Sequence, residues 1–213
     1  MIKKKIKFIK ICGLTDPDNA LQCVNAGANA IGLVFHEKSP RHISDKKAET
    51  ICRNLSSDVT TTGVFVDKNY NFIMKKVNRL SLKAVQLHGN ENPQLINDLR
   101  AQNLIVIKGI FSKKQPYFKD AHVYKHASFL LAECGKGILP GGNAETWNWA
   151  DISTIKGGLP IILAGGLDPY NIQNIINQIN ISGVDVSSGV ETCPGIKDLA
   201  KVRQFIQQVK NHQ

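Results

Sequence analysis

Ile6-Lys7-Phe8-Ile9-Lys10-Ile11-Cys12-Gly13-Leu14-Thr15-Asp16-Pro17 decides how this chain is read. A short, mostly apolar run that stops at Cys-Gly predicts a strand and a tight turn. Asp16 is then a good helix N-cap, and Pro17 suits the first helical position. Cys12 therefore falls at the carboxyl end of a first strand, beside backbone left open by Gly13. In a barrel of parallel strands, that end carries the chemistry.

Seven further apolar runs follow, at 30–35, 61–66, 83–87, 104–107, 128–132, 160–164 and 183–186. Between them lie helical stretches at 16–26 (closed by Gly27), 45–55 (capped by Ser44), 70–80 and 93–101. A short helix is expected over 113–120, another after Asp168-Pro169 to 179, and a last amphipathic one over 196–210. The stretch 133–149 reads as a loop long enough to suggest function. Continuous apolar runs in strict alternation with helices imply parallel strands buried on both faces. Eight such units in 213 residues predict an α/β fold, a single-domain (β/α)8 TIM barrel with eight parallel strands spanning 1–213. A doubly wound open sheet is the alternative, but no Gly-x-Gly-x-x-Gly turn follows the first strand.

Composition fits that picture. Apolar residues at 42% and charged residues at 21% are ordinary for a globular protein. No run reaches the length of a membrane span, and Met1-Ile2-Lys3-Lys4-Lys5 lacks the apolar core of a signal peptide. Five scattered cysteines argue against a disulfide framework and for a reducing cytoplasm. The net charge of +10 favours anionic partners. Its lysines are spread over helix faces (Lys46-Lys47, Lys75-Lys76, Lys113-Lys114), so no nucleic-acid site is expected, and no membrane partner. A basic bias also steers a small phosphorylated substrate inward. Whether the chain is a monomer or a homodimer is left open.

Several residues at strand ends are candidates for chemistry. The turns Ala164-Gly165-Gly166-Leu167 and Ser187-Ser188-Gly189 follow strands seven and eight, where phosphate sites of such barrels recur. Glycines there let backbone N–H groups close on an anion, assisted by a helix N-terminus. Cys12 is open, on position alone, between an inert packing residue and a thiolate serving as base or nucleophile. Cys23 and Cys52 sit in helical patterns and read as packing. Arg41, held by Pro40 in an extended loop, is either a surface arginine or a clamp taking a carboxylate through two hydrogen bonds. His88 ends strand four and either lines or fills the pocket. No cluster has zinc spacing, so no metal is expected.

Taken together, Lys10-Ile11-Cys12-Gly13, Ser39-Pro40-Arg41, Gly63-Val64-Phe65, Gln86-Leu87-His88-Gly89, Leu163-Ala164-Gly165-Gly166-Leu167, Asp185-Val186-Ser187-Ser188-Gly189-Val190-Glu191 and Pro194-Gly195-Ile196-Lys197-Asp198 resemble phosphoribosylanthranilate isomerases. The resemblance spans nearly the whole chain, with the motifs in order at the strand ends. It implies a (β/α)8 barrel of tryptophan biosynthesis that performs an Amadori rearrangement without a cofactor. By the resemblance Cys12 is the base, acting as thiolate, and Arg41 holds the anthranilate carboxylate. Gly165, Gly166, Ser188 and Gly189 take the phosphate, and Asp185 orders the sugar end.

One departure stands out. The family's acid is an aspartate ending strand six in a Leu-Leu-Asp pattern, and setting Leu130-Leu131 against it puts Ala132 at the acid position. Glu133, one place later, is expected either to be a displaced acid or to face solvent or a lysine. The following loop departs as well, reading Gly141-Gly142-Asn143-Ala144 and then Trp147-Asn148-Trp149 where the family has Gly-Gly-Thr-Gly and Phe-Asp-Trp. A missing acid leaves a rival from another class, a catalytically weak or inactive homologue that binds phosphorylated ligands. A different phosphosugar barrel, an epimerase or sugar isomerase, is a further alternative, but it has no use for a benzoate clamp at Arg41.

Overall fold

The structure, a computed structural model, describes residues 6–135 and 147–211. Strands β1 (Phe8–Cys12), β2 (Ala30–Val34), β3 (Thr60–Phe65), β4 (Ala84–Leu87), β5 (Ile105–Phe111), β6 (Phe129–Glu133), β7 (Ile161–Leu163) and β8 (Gly183–Val186) form a closed barrel, each parallel to the next, with β8 returning to β1. Helices α1 (Pro17–Asn25), α2 (Asp45–Asn54), α3 (Tyr70–Leu80) and α4 (Pro93–Arg100) fill the first four connections, and α5 (Ile172–Gln178) follows β7. The caps are those the sequence predicts: Asp16 Oδ1 accepts from Asn19 N at 2.8 Å and Ser44 Oγ from Lys47 N at 3.4 Å. Among the described residues no helix is long and apolar enough to cross a membrane.

Three expectations are corrected. Strand β5 leads not to a helix over 113–120 but to a 3-10 helix, Phe118–Tyr124. Pro116 cannot occupy a helix interior, and Asp120 accepts from the Tyr117 backbone N–H at 2.8 Å, fixing a later start. The last helix, α6 (Leu199–Lys210), begins three residues late. Ile196–Lys197 (β10) instead pairs antiparallel with Glu191–Cys193 (β9), and Asp198 caps α6 by accepting from Ala200 N and Lys201 N. Finally, Glu133 ends β6 rather than opening the loop. A second 3-10 helix, Trp149–Thr154, precedes β7. The loop departures at Gly141 to Ala144 lie outside the described residues.

Which way each strand residue points follows from the ladder register, because facing partners on parallel strands share a side of the sheet. Phe8, Ala30, Ile107, Leu131, Ile162 and Ala164 pack together as the lower filling of the barrel, and Cys12, Val34 and Val64 as its upper layer. The alternating set, Ile9, Ile11, Ile31, Leu33, Leu130 and Ala132, belongs to the larger core between strands and helices. Hence Lys10, Cys12, Gln86, Glu133 and Asp185 point inward, and Ala132 points out.

Candidate active site

The inward residues at the carboxyl ends of the strands line a cavity of about 770 Å³ including its open mouth, a size suited to a small ligand. Its apolar wall is made by Val34, Val64 and Val66, and its polar groups converge from β1, β4, β6 and β8.

Cys12 sits on this wall, 9% exposed, and burial pushes its thiol up; Lys10, below it on the same strand face, opposes that shift. Lys10 is fully buried, and its ammonium donates to Asp185 Oδ2 at 2.9 Å. Desolvation by itself would lower the Lys10 ammonium; the Asp185 carboxylate, helped by Cys12, outweighs it and holds the group above its ordinary value. The other carboxylate oxygen, Asp185 Oδ1, is buried with no partner and belongs to a cavity-lining residue, so a ligand donor can satisfy it.

Arg41 reaches the cavity from the loop after β2, but one edge of its guanidinium is occupied. Nε donates to Glu191 Oε1 at 2.8 Å and Nη2 to Oε2 at 2.7 Å. Lys197 Nζ also donates to Glu191 Oε1, at 2.6 Å. Burial alone would raise the Glu191 carboxyl; the Arg41 hydrogen bonds and the Lys197 charge outweigh it and hold it below the ordinary range. Any two-bond clamp on a ligand carboxylate must therefore use the Nη1 side of Arg41. Gly13 makes room for this arrangement, since a Cβ there would fall 2.5 Å from Arg41 Cδ.

Across the cavity, Glu133 Oε2 lies 3.1 Å from His88 Nε2. Gln86 turns its amide nitrogen to His88 Nδ1 at 3.1 Å. The imidazole thus stands between the Gln86 amide on its Nδ1 side and the Glu133 carboxyl on its Nε2 side. Phe111 fixes the imidazole edge-on at 5.1 Å.

The phosphate-type turns close the cup. Gly165 and Gly166 both have positive φ, 82° and 70°, which only glycine adopts readily. Asn171 Nδ2 donates to Gly166 O at 2.7 Å and ties the turn to the start of α5. Gly165, Gly166 and Ser188 line the cavity. Gly189 matters for packing instead. A Cβ there would stand 1.9 Å from Leu167 O, so its absence lets the loops after β7 and β8 meet.

A family model for N-(5'-phosphoribosyl)anthranilate isomerase matches residues 9–208. The chain belongs to that family. The N-(5'-phosphoribosyl)anthranilate isomerase of Desulfatibacillum aliphaticivorans is 46% identical over 199 residues, 93% of this chain and 91% of that protein. The crystal structure of phosphoribosylanthranilate isomerase from Thermotoga maritima superposes with a TM-score of 0.87 at 34% identity, covering 96% of this chain and 98% of that one. A structure of such an isomerase in complex with reduced 1-(o-carboxyphenylamino)-1-deoxyribulose 5-phosphate superposes at 0.84, with 33% identity and the same coverage.

For a phosphoribosylanthranilate isomerase, the facing of β6 corrects the match at Ala132. That residue is fully buried among the apolar groups outside the barrel, where a carboxylate would meet the helix layer. The residue of β6 that ends inward is Glu133, so this strand does bring a carboxyl to the cavity. The premise of an inactive homologue, a strand end without a carboxyl, does not hold. Cys12, Arg41, His88, Glu133, Gly165, Gly166, Asp185 and Ser188 all come to the one cavity. Sequence reasoning gave no role to Lys10, Gln86, Glu191 or Lys197. For Lys10 a signal was present: a lysine at an inward position between Phe8 and Cys12, in a strand buried on both faces.

Proposed function

We propose that this protein catalyses the cofactor-free rearrangement of N-(5-phosphoribosyl)anthranilate to 1-(2-carboxyphenylamino)-1-deoxyribulose 5-phosphate. The observation that carries this reading is the placement of an inward carboxyl on β6 opposite a buried thiol on β1, over a floor fitted for phosphate and beside an arginine. Glu133, protonated, gives its proton to the furanose oxygen as the C1–O bond breaks and the anilino nitrogen forms an iminium. His88 Nε2 then faces the carboxylate that remains. Cys12, as thiolate, takes the C2 proton; that electron pair forms the C1–C2 double bond and the nitrogen regains its lone pair. The enolamine tautomerises to the ketone.

The remaining groups hold the substrate. Gly165, Gly166 and Ser188 bind the phosphate through backbone N–H groups and a hydroxyl. Arg41 binds the anthranilate carboxylate from its Nη1 side, and the ring lies against Val34 and Val64. Asp185 Oδ1 accepts from a sugar hydroxyl. Turnover of phosphoribosylanthranilate generated in situ, followed by loss of anthranilate-type fluorescence, tests the reading. The unmodified protein should turn over, and Cys12→Ser should lower kcat by about a hundredfold or more. Equal turnover by Cys12→Ser would remove the thiol from the mechanism.

A further inference from the structure

Lys10 is a fully buried ammonium that neither phosphate nor anthranilate binding uses. It sits one inward position below Cys12 on β1, and β2 offers the two of them a glycine. A Cβ on Gly32 would stand 2.6 Å from Cys12 Sγ and 3.0 Å from Lys10 Nζ. Thiol and ammonium thus share the space that a β2 side chain would fill. An ammonium has three donors; Asp185 Oδ2 takes one, and the charge of Lys10 works against the burial that keeps the thiol protonated.

We propose that Lys10 is a positioning residue for the base: its buried ammonium favours the thiolate of Cys12, and Asp185 holds the ammonium in place. This rests on the reading of Cys12 as base. Burial alone would keep the thiol protonated, and Lys10 is the largest influence acting against it. The other charges facing Cys12 are Asp185 from β8, Arg41 from the loop after β2 and Lys197 from β10. Glu133 at the end of β6 and His88 just after β4 act on Asp185. Arg41 and Lys197 share Glu191 as their counter-ion, and Lys197 also donates to Ser187 O and Oγ. Lys10 is the cation that shares the Gly32 space with the thiol.

The test is the pH dependence of iodoacetamide alkylation at Cys12, read by peptide mass spectrometry in a Cys52→Ser/Cys193→Ser background. Lys10→Met should move the midpoint up by about one pH unit or more, a tenfold loss of thiolate at neutral pH. Asp185→Asn, nearly isosteric, should also move it up, by less than Lys10→Met, because the buried ammonium loses the carboxylate that holds it charged and in place. Lys10→Arg should stay close to the unmodified protein, and Lys197→Met should shift the midpoint by less than Lys10→Met. Retention of the midpoint by Lys10→Arg, beside its shift in Lys10→Met, excludes a general loosening of the site. A midpoint that Lys10→Met leaves unmoved, or that Lys197→Met moves as far, overturns the proposal; if Lys10→Met does not fold, a midpoint unmoved or lowered in Asp185→Asn overturns it. No substrate is present, so the outcome is independent of whether Cys12→Ser abolishes turnover, which decides the base itself.

Discussion

Arg41 and Glu191 meet edge to edge, Nε to Oε1 at 2.8 Å and Nη2 to Oε2 at 2.7 Å, so the arginine proposed to meet the substrate is already fixed by a carboxylate of its own protein. Such a pair sets the plane of the guanidinium before a ligand arrives, which spares the ligand the ordering of a long side chain. Glu191→Gln should therefore raise KM by about tenfold with a smaller change in kcat, the signature of lost ground-state positioning. Steady-state kinetics on both parameters checks this.

The same carboxylate gives a pH dependence. Glu191 is held low in the folded protein. Its stabilising contribution is thus fully present above the unfolded glutamate pKa of about 4.3 and is lost as pH falls through the lower folded value. Thermal melts from neutral to acid pH should show a loss that Glu191→Gln reduces.

For β6 the decisive comparison is between neighbours. Glu133→Gln should lower kcat by about 100-fold or more. Adding Ala132→Asp to that variant should restore nothing, because the new carboxylate faces the apolar layer that encloses Ala132. It should also destabilise the fold by about 3 kcal/mol or more. Recovery of turnover in the double variant would mean that β6 presents its other face.

Gly165 and Gly189 should fail differently. A Cβ on Gly165 meets Glu133 Cγ at 2.7 Å, whereas one on Gly189 meets Leu167 O. Gly165→Ala should reduce kcat and raise KM. Gly189→Ala should act mainly on KM, by about tenfold or more, because the clash displaces the adjoining Ser188 and Leu167 turns from the phosphate, and should weaken competitive inhibition by inorganic phosphate.

A buried pair outside the cavity sets up the loop that follows His88. Lys108 Nζ donates to Glu91 Oε2 at 2.7 Å and to Gly89 O at 2.6 Å, while Glu91 Oε1 accepts from Gly89 N and Asp67 N. Lys108→Met leaves the Glu91 carboxylate enclosed without its cation and should cost about 3–5 kcal/mol in urea unfolding.

Much of this was legible in the chain. The first strand and helix were readable because Gly13, Asp16 and Pro17 are local signals, and the other units repeat the same grammar. The strand-end motifs could be placed on the barrel for the same reason. What a linear reading missed was phase. In strands buried on both faces, apolar residues do not mark inside from outside, so the sequence puts Ala132 at the acid position, whereas the ladders turn Glu133 to the cavity. The charged partners were hidden for another reason. Arg41 and Glu191 stand 150 residues apart, and nothing local in either segment points to the other. The start of α6 was misplaced because Ile196 and Lys197 satisfy a helical pattern yet pair with β9, where Lys197 is drawn inward.

Lys10 and Asp185 are 175 residues apart in the chain. Until β8 docks against β1, Lys10 has no counter-ion, and an unpaired ammonium cannot enter the barrel interior without a large desolvation penalty. A partly assembled barrel of seven strands is therefore disfavoured at the seam where the thiol will lie. Closing this long loop and completing the catalytic cup are one event. A chain still lacking its eighth strand would thus be both open and inactive, with no half-built cup able to act on substrate.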